Sequence, residues 1–267
     1  MLSHIIFLGL FYTVLAVLST TVALSLYRAG QDFRARRAEA ICWHATFPDL
    51  PARDRLCRHE FTGEFSHRLC DKAFDCRECQ QHAALVARRP PDAAPTPREA
   101  DVFGLEFPLD RLYHRGHAWA HPEPDGTVTV GLDALGARLV AEPEAVVLPA
   151  IGSHIQTNGA AWHVNKRGAH VRILSPLDGQ VVATGGPQDG WYLKVKPDGG
   201  RLDARHLLRG PEIRPWIAHE MERLQASLGP ADQAPTMADG GVPVNDIAAA
   251  YPEADWDAVC AEIFLLP

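Results

Sequence analysis

The middle third of this chain is cut at short intervals by turn residues, and that restricts its fold more than any other feature. Pro124-Asp125-Gly126, Leu148 to Gly152, Asn158-Gly159, Leu177 to Gly179 and Gln188 to Gly190 all favour chain reversal. Glycine reaches positive φ freely, and Asn and Asp bond their own backbone. The segments between them are short and alternate in character. Thr127–Leu132 reads Thr-Val-Thr-Val-Gly-Leu; in Trp191–Lys196, Trp191, Leu193 and Val195 share one face and Tyr192, Lys194 and Lys196 the other. Short strands at this spacing predict a mainly β unit, a small sandwich or barrel.

Helical patterns flank this block. Gly210 to Gly229 carries Trp216, Met221, Leu224 and Leu228 at helical spacing, which predicts one amphipathic helix ending near Gly229. A linker over 229–244 leads to a tail in which a short helix would bury Trp256, Val259 and Phe264. At the other end, Ile5–Leu26 runs for 22 residues without a charge. At about 1.5 Å per residue such a helix crosses a bilayer core of about 30 Å. It is too long for a signal-peptide core and no Lys or Arg precedes it, so it reads as a retained anchor. Arg28, Arg34, Arg36 and Arg37 follow it in a basic neck, Tyr27–Ala40, while only His4 stands in front. The positive-inside rule then places the N-terminus outside the cell's inner membrane and the body in the cytoplasm.

Five of the six cysteines fall within Cys42–Cys79. Cys57, Cys70, Cys76 and Cys79 are separated by twelve, five and two residues. In a reducing compartment such a cluster reads as metal ligands rather than disulfides. Cys76-x-x-Cys79 is a two-ligand knuckle, and Cys57 and Cys70 would complete four thiolates around zinc or at an iron–sulfur cluster. Cys42, His44, His59, His67 and His82 are alternative ligands. Gln80 stands where a c-type haem motif needs histidine. Pro90, Pro91, Pro95 and Pro97 mark an extended linker after this block.

The β block resembles the glycine cleavage H protein family. Leu112 to Leu139 holds its Tyr (Tyr113), its His-x-Trp element (His117, Trp119) and its Thr-Val-Thr-Val-Gly strand. Leu148-Pro149 through Ser175-Pro176 matches its Leu-Pro-x-x-Gly and Ser-Pro-x-x-Gly core, and Gly190 to Pro197 its closing Gly-Trp strand. The resemblance implies a barrel-sandwich hybrid with a lipoyl-type hairpin at one end. It makes His117 and Trp119 framework positions rather than metal ligands with His114 and His121. In the family the lipoylated lysine stands seven residues before the Ser of Ser-Pro. Here that position is Gly168, inside Asn165-Lys166-Arg167-Gly168-Ala169. Asn165 to Gly168 reads as a type I turn, which puts Lys166 and Arg167 at an exposed hairpin tip. Only Ala183 to Asp189 separates the hairpin from Gly190-Trp191, where the family has a longer acidic segment. The resemblance therefore carries the fold but neither lipoate nor the shuttling of an aminomethyl group.

The organisation expected is an anchor and neck at 1–40, a cysteine-rich segment at 41–83, a linker at 84–106, the H-protein-like unit with its helix at 107–228, and a linker with a short helix at 229–267. The 46% hydrophobic content supplies an ordinary core for it, and a formal net charge of −7 argues against nucleic acid as a partner. No P-loop, Rossmann, nucleophile-elbow or zincin motif occurs, so no enzyme is expected. The function expected is a non-lipoylated accessory or docking subunit of a membrane complex. The alternatives are a lipoyl carrier using Lys166 and an electron-transfer protein using the cysteines. Protease-protection mapping on sealed vesicles should find every site beyond Arg37 accessible from the cytoplasmic face; a shielded C-terminus would reverse the orientation.

Overall fold

The computed structural model describes residues 2–34, 50, 52–88, 99–228 and 243–265, and it divides into two compact units, Met1–Ala45 and Thr46–Pro267. The end of the neck, Cys42, His44, the four linker prolines and most of the 229–244 linker lie outside the described residues. The first unit contains one helix, α1 (Leu2–Arg34). The hydroxyls of Thr13, Thr20 and Thr21 donate to the carbonyls of Gly9, Ala16 and Val17 one turn back. Among the described residues no helix is long and apolar enough to cross a membrane.

In the second unit two antiparallel sheets enclose the core. The larger is ordered β3 (Leu112–Tyr113), β4 (Ala118–Pro122), β5 (Val128–Leu132), β11 (Trp191–Pro197), β10 (Gly179–Gly186), β7 (His154–Ile155). The smaller is β6 (Ala145–Val147), β8 (Ala160–Lys166), β9 (Ala169–Leu174). Trp162 of β8 stacks on Tyr192 of β11, with ring centroids 4.9 Å apart and planes 14° from parallel. Tyr192 is therefore buried along with Leu193 and Val195, although simple alternation puts it on the polar face. Two of the turn signals close hairpins, Glu123 to Thr127 joining β4 to β5 through Gly126 at φ 83° and Pro187 to Gly190 joining β10 to β11, while the other three carry the chain between the two sheets.

Sequence reading ends the linker at residue 106, but a hairpin already occupies its last part. Strands β1 (Glu99–Val102) and β2 (Leu105–Pro108) pair through a two-residue turn, Phe103-Gly104, both at positive φ. The Asp101 carboxylate accepts the Gly104 N–H at 2.9 Å, and Val102, Leu105 and Phe107 enter the core. Four residues per strand were too few for periodicity to stand out beside a proline-rich run. The cysteine block, from Ala52 through α2 (Arg58–Phe61) to α3 (Gln80–Val86), also belongs to this unit.

Helix α5 (Ile213–Ser227) buries Ile213, Trp216, Ile217 and Leu224, while Met221 and Leu228 are only half-buried. The same face buries two charged groups, Glu220 and Arg223. Glu220 accepts Trp216 Nε1 at 3.1 Å and Arg223 Nη1, and its Oε2 lies 3.8 Å from His117 Nε2. His117 stacks on Trp216 and its Nδ1 bonds Asp133 Oδ2 at 2.9 Å. Arg223 also donates to the Glu262 carbonyl in α7 (Trp256–Ile263), which buries Trp256 and Val259, with Phe264 just beyond it, and packs on β9. Two cations and two carboxylates thus balance inside the core. Removing one leaves a buried charge uncompensated, which costs about 3–5 kcal/mol. Glu220→Gln should lower the midpoint of thermal unfolding by roughly 10 °C at this size; a shift within about 2 °C in calorimetry would show that the network is not structural.

Candidate functional site

Local geometry brings the four cysteines of the block together in two pairs. A single β-bridge joins Leu56 to Leu69. Cys57 N donates to Arg68 O at 2.8 Å and Cys70 N to Arg55 O at 2.6 Å, which sets the two cysteines side by side. The second pair flanks a 3-10 turn, Cys76–Glu78, whose entry is capped by Asp75 accepting Arg77 N at 3.0 Å. Side chains three residues apart eclipse in a 3-10 turn, so Cys76 and Cys79 are on one side. All four line one small, partly open cavity of about 20 Å³, with Arg58, His59, His82, Phe74, Arg115 and His206 in its walls. None is in a disulfide. Among the described residues, no group of three or more His, Cys, Asp and Glu side chains is arranged to hold a metal ion; the thiols share a cavity without closing into a ligand set.

Of the alternative ligands, His59 and His82 stand in the cavity wall bonded to each other. His59 has both ring nitrogens engaged, Nδ1 with Glu64 and Nε2 with His82 Nδ1 at 3.0 Å. His67 is exposed and not in the cavity wall. Burial raises the Cys57 thiol, against a backbone bond at His59, with Cys70 adding to the rise. Burial pushes Cys76 up to about 11 against the pull of Arg58. These two are protonated thiols at neutral pH, which gives no activated nucleophile.

The block is held on the β unit by arginines. Arg58 Nε donates to Glu212 Oε1 at 3.2 Å, and its Nη atoms reach the carbonyls of Arg205 and Leu207 at 2.8 and 2.9 Å. Arg77 pairs with Asp178, and Asn158 Nδ2 donates to Ala73 O at 2.8 Å. Arg115, on the tight turn from β3 to β4, donates through Nη1 to Leu56 O at 2.6 Å. It stacks over Phe74 at 3.7 Å, while its Nε and Nη2 find no hydrogen-bond partner among the described residues. Sequence reading missed Arg115 and Arg58 because a single arginine in a turn or short helix carries no signal of burial.

His114, His117 and His121 do not converge. His121 is near Glu123 and Asp110, and His117 is with Asp133. His114 Nε2 bonds Asn158 Oδ1 at 2.7 Å and its Nδ1 accepts Gly116 N–H at 3.0 Å, an arrangement that needs a neutral ring.

The hairpin tip differs from expectation by one residue. Lys166 pairs with Ala169 across the strands, so the turn is Arg167-Gly168, at φ 50° and 81°. A two-residue turn with both φ positive matches the right-handed strand twist, whereas a type I turn would splay the strands. Lys166 is therefore the last strand residue, and its side chain is buried rather than exposed at the tip. Its Nζ donates to Asp246 Oδ2 at 2.8 Å and to the Ala141 carbonyl. Asp246 caps α6 (Ile247–Ala250), part of the C-terminal segment. Arg167 and Gly168 are exposed, and nothing lies within 4 Å of where a Cβ on Gly168 would sit. Asn165 bonds His170 at 2.8 Å. The cysteine block packs at the opposite, Ala160–Leu174 end of this hairpin, roughly 20 Å away along seven residues of strand.

No family model matches the chain. It is 33% identical over 106 residues to the glycine cleavage system H protein of Saccharophagus degradans, covering 35% of this chain and 82% of the relative. It is 33% identical over 114 residues to glycine cleavage system H protein 2 of Pseudomonas syringae pv. tomato, covering 38% and 89%. The crystal structure of a glycine cleavage system H protein from Mycobacterium marinum overlays with a TM-score of 0.34 at 24% identity, covering 40% of this chain and 94% of that one.

Two of the buried histidines act on the pH response in opposite directions. Burial, with His206 and Arg115 adding, pushes His114 from 6.5 down to about 3 against the lift from Asn158. Burial also acts to lower His117, but Asp133 and Glu220 outweigh it and raise the ring to about 9. Between about 3 and 6.5 the unfolded chain binds a proton that folded His114 refuses, so stability rises with pH. Between 6.5 and about 9 folded His117 keeps a proton that the unfolded chain has lost, so stability falls. Denaturation across pH should show a maximum near 6.5, with limbs of up to about 1.4 kcal/mol per pH unit. His117→Gln should flatten only the alkaline limb.

Proposed function

Because this chain belongs to the glycine cleavage system H protein family through its β unit, we propose that it is a docking module built on that fold rather than a lipoate carrier. It is a membrane-anchored accessory subunit of a membrane-associated complex and performs no catalysis by itself. A metal at the cysteine block stabilises the region that grips the base of the hairpin.

The observation that carries this reading is the hairpin tip. The residue seven before Ser175 is Gly168, which has no side chain to acylate, and the neighbouring lysine is enclosed. Acylating Lys166 would remove a cation from beside Asp246 and place a long arm where the segment around α6 already lies. Two further features support the role. Val147 on the edge strand β6 and Ile151 in the following loop are 57% and 67% exposed, apolar surface suited to a protein partner. The uncharged stretch Ile5–Leu26 and its flanking arginines favour anchoring with the N-terminus outside and the body in the cytoplasm. The threonine hydroxyls of α1 bond within their own helix, as an apolar surrounding requires.

Co-expression with a lipoylating enzyme should give an intact mass without a lipoyl increment. Gly168→Lys, at an open position whose positive φ costs about 1–2 kcal/mol, should acquire one. A lipoyl group on Lys166 of the unaltered protein would overturn the reading. Pull-down in mild detergent should recover a membrane partner; recovery of glycine-cleavage enzymes alone would count against it.

A further inference from the structure

The metal named above can be specified from the cavity wall. Resting on that reading, we propose that Cys57, Cys70, Cys76 and Cys79 bind a single zinc ion as a tetrathiolate, and that Arg115 is the positioning residue that balances its charge.

The cavity measures about 20 Å³. One water-sized occupant takes roughly 10–15 Å³, so there is room for one ion. The two cysteine pairs come from different local structures, the bridge at Leu56–Leu69 and the 3-10 turn, and the cavity is where they meet. Four thiolates suit zinc, with Zn–S near 2.3 Å. Closing the set requires the four side chains to turn inward.

The independent observation is Arg115. It is 2% exposed, lines the same cavity, and feels the Glu220 carboxylate without forming an ion pair with it. Two of its donors, Nε and Nη2, are buried without a hydrogen bond. A buried cation with unsatisfied donors is costly unless an anion faces it. Arg58, the other guanidinium in the wall, is already matched by Glu212. None of the four cysteines lining the cavity accepts from these two donors. When the ion binds, four S–H bonds break, four protons leave to solvent and four S–Zn bonds form, with no electron transferred. The product, two positive charges against four thiolates, carries a net charge of −2. Arg115 then faces an anion, and its orphaned N–H groups find sulfur acceptors. The ion would also tie the segment around Cys57 to that around Cys76, so that the turn bearing Arg115 and the cysteine block become one wall.

The test uses the full chain in mild detergent. Elemental analysis should find one zinc per chain and no iron. Cobalt substitution should give the charge-transfer and ligand-field bands of a tetrathiolate. Arg115→Gln should weaken zinc in chelator competition by about 10–100-fold, as loss of an outer-shell partner does, and shift the sulfur-to-cobalt band. Arg115→Lys, which keeps the charge, should recover most of the affinity. Protein with no metal after purification and zinc titration would overturn the metal reading itself. Iron with sulfide would overturn the single-ion proposal and leave a cysteine-held cofactor standing. One zinc bound equally tightly by Arg115→Gln, with an unshifted cobalt spectrum, would overturn the role of Arg115 alone. Should Arg115→Gln not fold, Arg115→Met, which keeps apolar packing on Phe74 without the charge, carries the test: zinc held as tightly as by the unaltered protein, with an unmoved cobalt band, then overturns the role.

Discussion

The Glu220 carboxylate has no contact with solvent, and three elements depend on it. It accepts from Trp216 and Arg223 on its own helix, stands by the His117 ring, and through Arg223 reaches the carbonyl of Glu262 in the last helix. A buried carboxylate is tolerated only when cations and donors surround it. Here that requirement fixes α5 and α7 relative to the turn from β3 to β4. The same turn presents His114 to Asn158 and Arg115 to the cysteine cavity. The cavity wall is thus supported by an ion network on its far side, and the neutral His114 and charged His117 are set by which groups each ring faces.

The hairpin β8–β9 has different neighbours at its two ends. Its base receives the cysteine block, through Asn158 bonded to Ala73 and Arg77 paired with Asp178. Its tip receives the C-terminal segment through Asp246 on Lys166, and Glu144, just before β6, accepts the Arg167 N–H at 2.9 Å. A carrier hairpin needs a free tip so that its arm can swing between sites. Here both ends are tied, and the most exposed large apolar side chains described in this unit, Val147 and Ile151, are beside the hairpin, on β6 and the loop after it. Those contacts favour a fixed surface over a moving one.

Much of this was legible in the sequence, for identifiable reasons. Alternation and turn residues are local, so two strands of the larger sheet could be read from Thr127–Leu132 and Trp191–Lys196 without knowing their partners. Trp256, Val259 and Phe264 fall at helical spacing, and that is enough to predict a buried face. The hairpin of Glu99–Pro108 was missed because four-residue strands give too few repeats for a period. Lys166 was placed one residue wrong because strand twist, not the preference of Asn165 and Gly168 for a turn, selects Arg167-Gly168 as the reversal. Tyr192 was assigned to the polar face because Trp162, which covers it, comes from the other sheet.

The sequence by itself determined which residues are available: a glycine seven positions before Ser175, four cysteines at fixed intervals, an uncharged stretch followed by arginines. Those follow from covalent order and need no partner. Only the tertiary structure decided which of them meet. It gathered Cys57 and Cys70 with Cys76 and Cys79, buried the Lys166 ammonium on Asp246 eighty residues away, and left two donors of Arg115 without a partner among the described residues. Burial and charge pairing depend on long-range packing, and a chain written in one dimension does not record what will lie across from a side chain when the core closes.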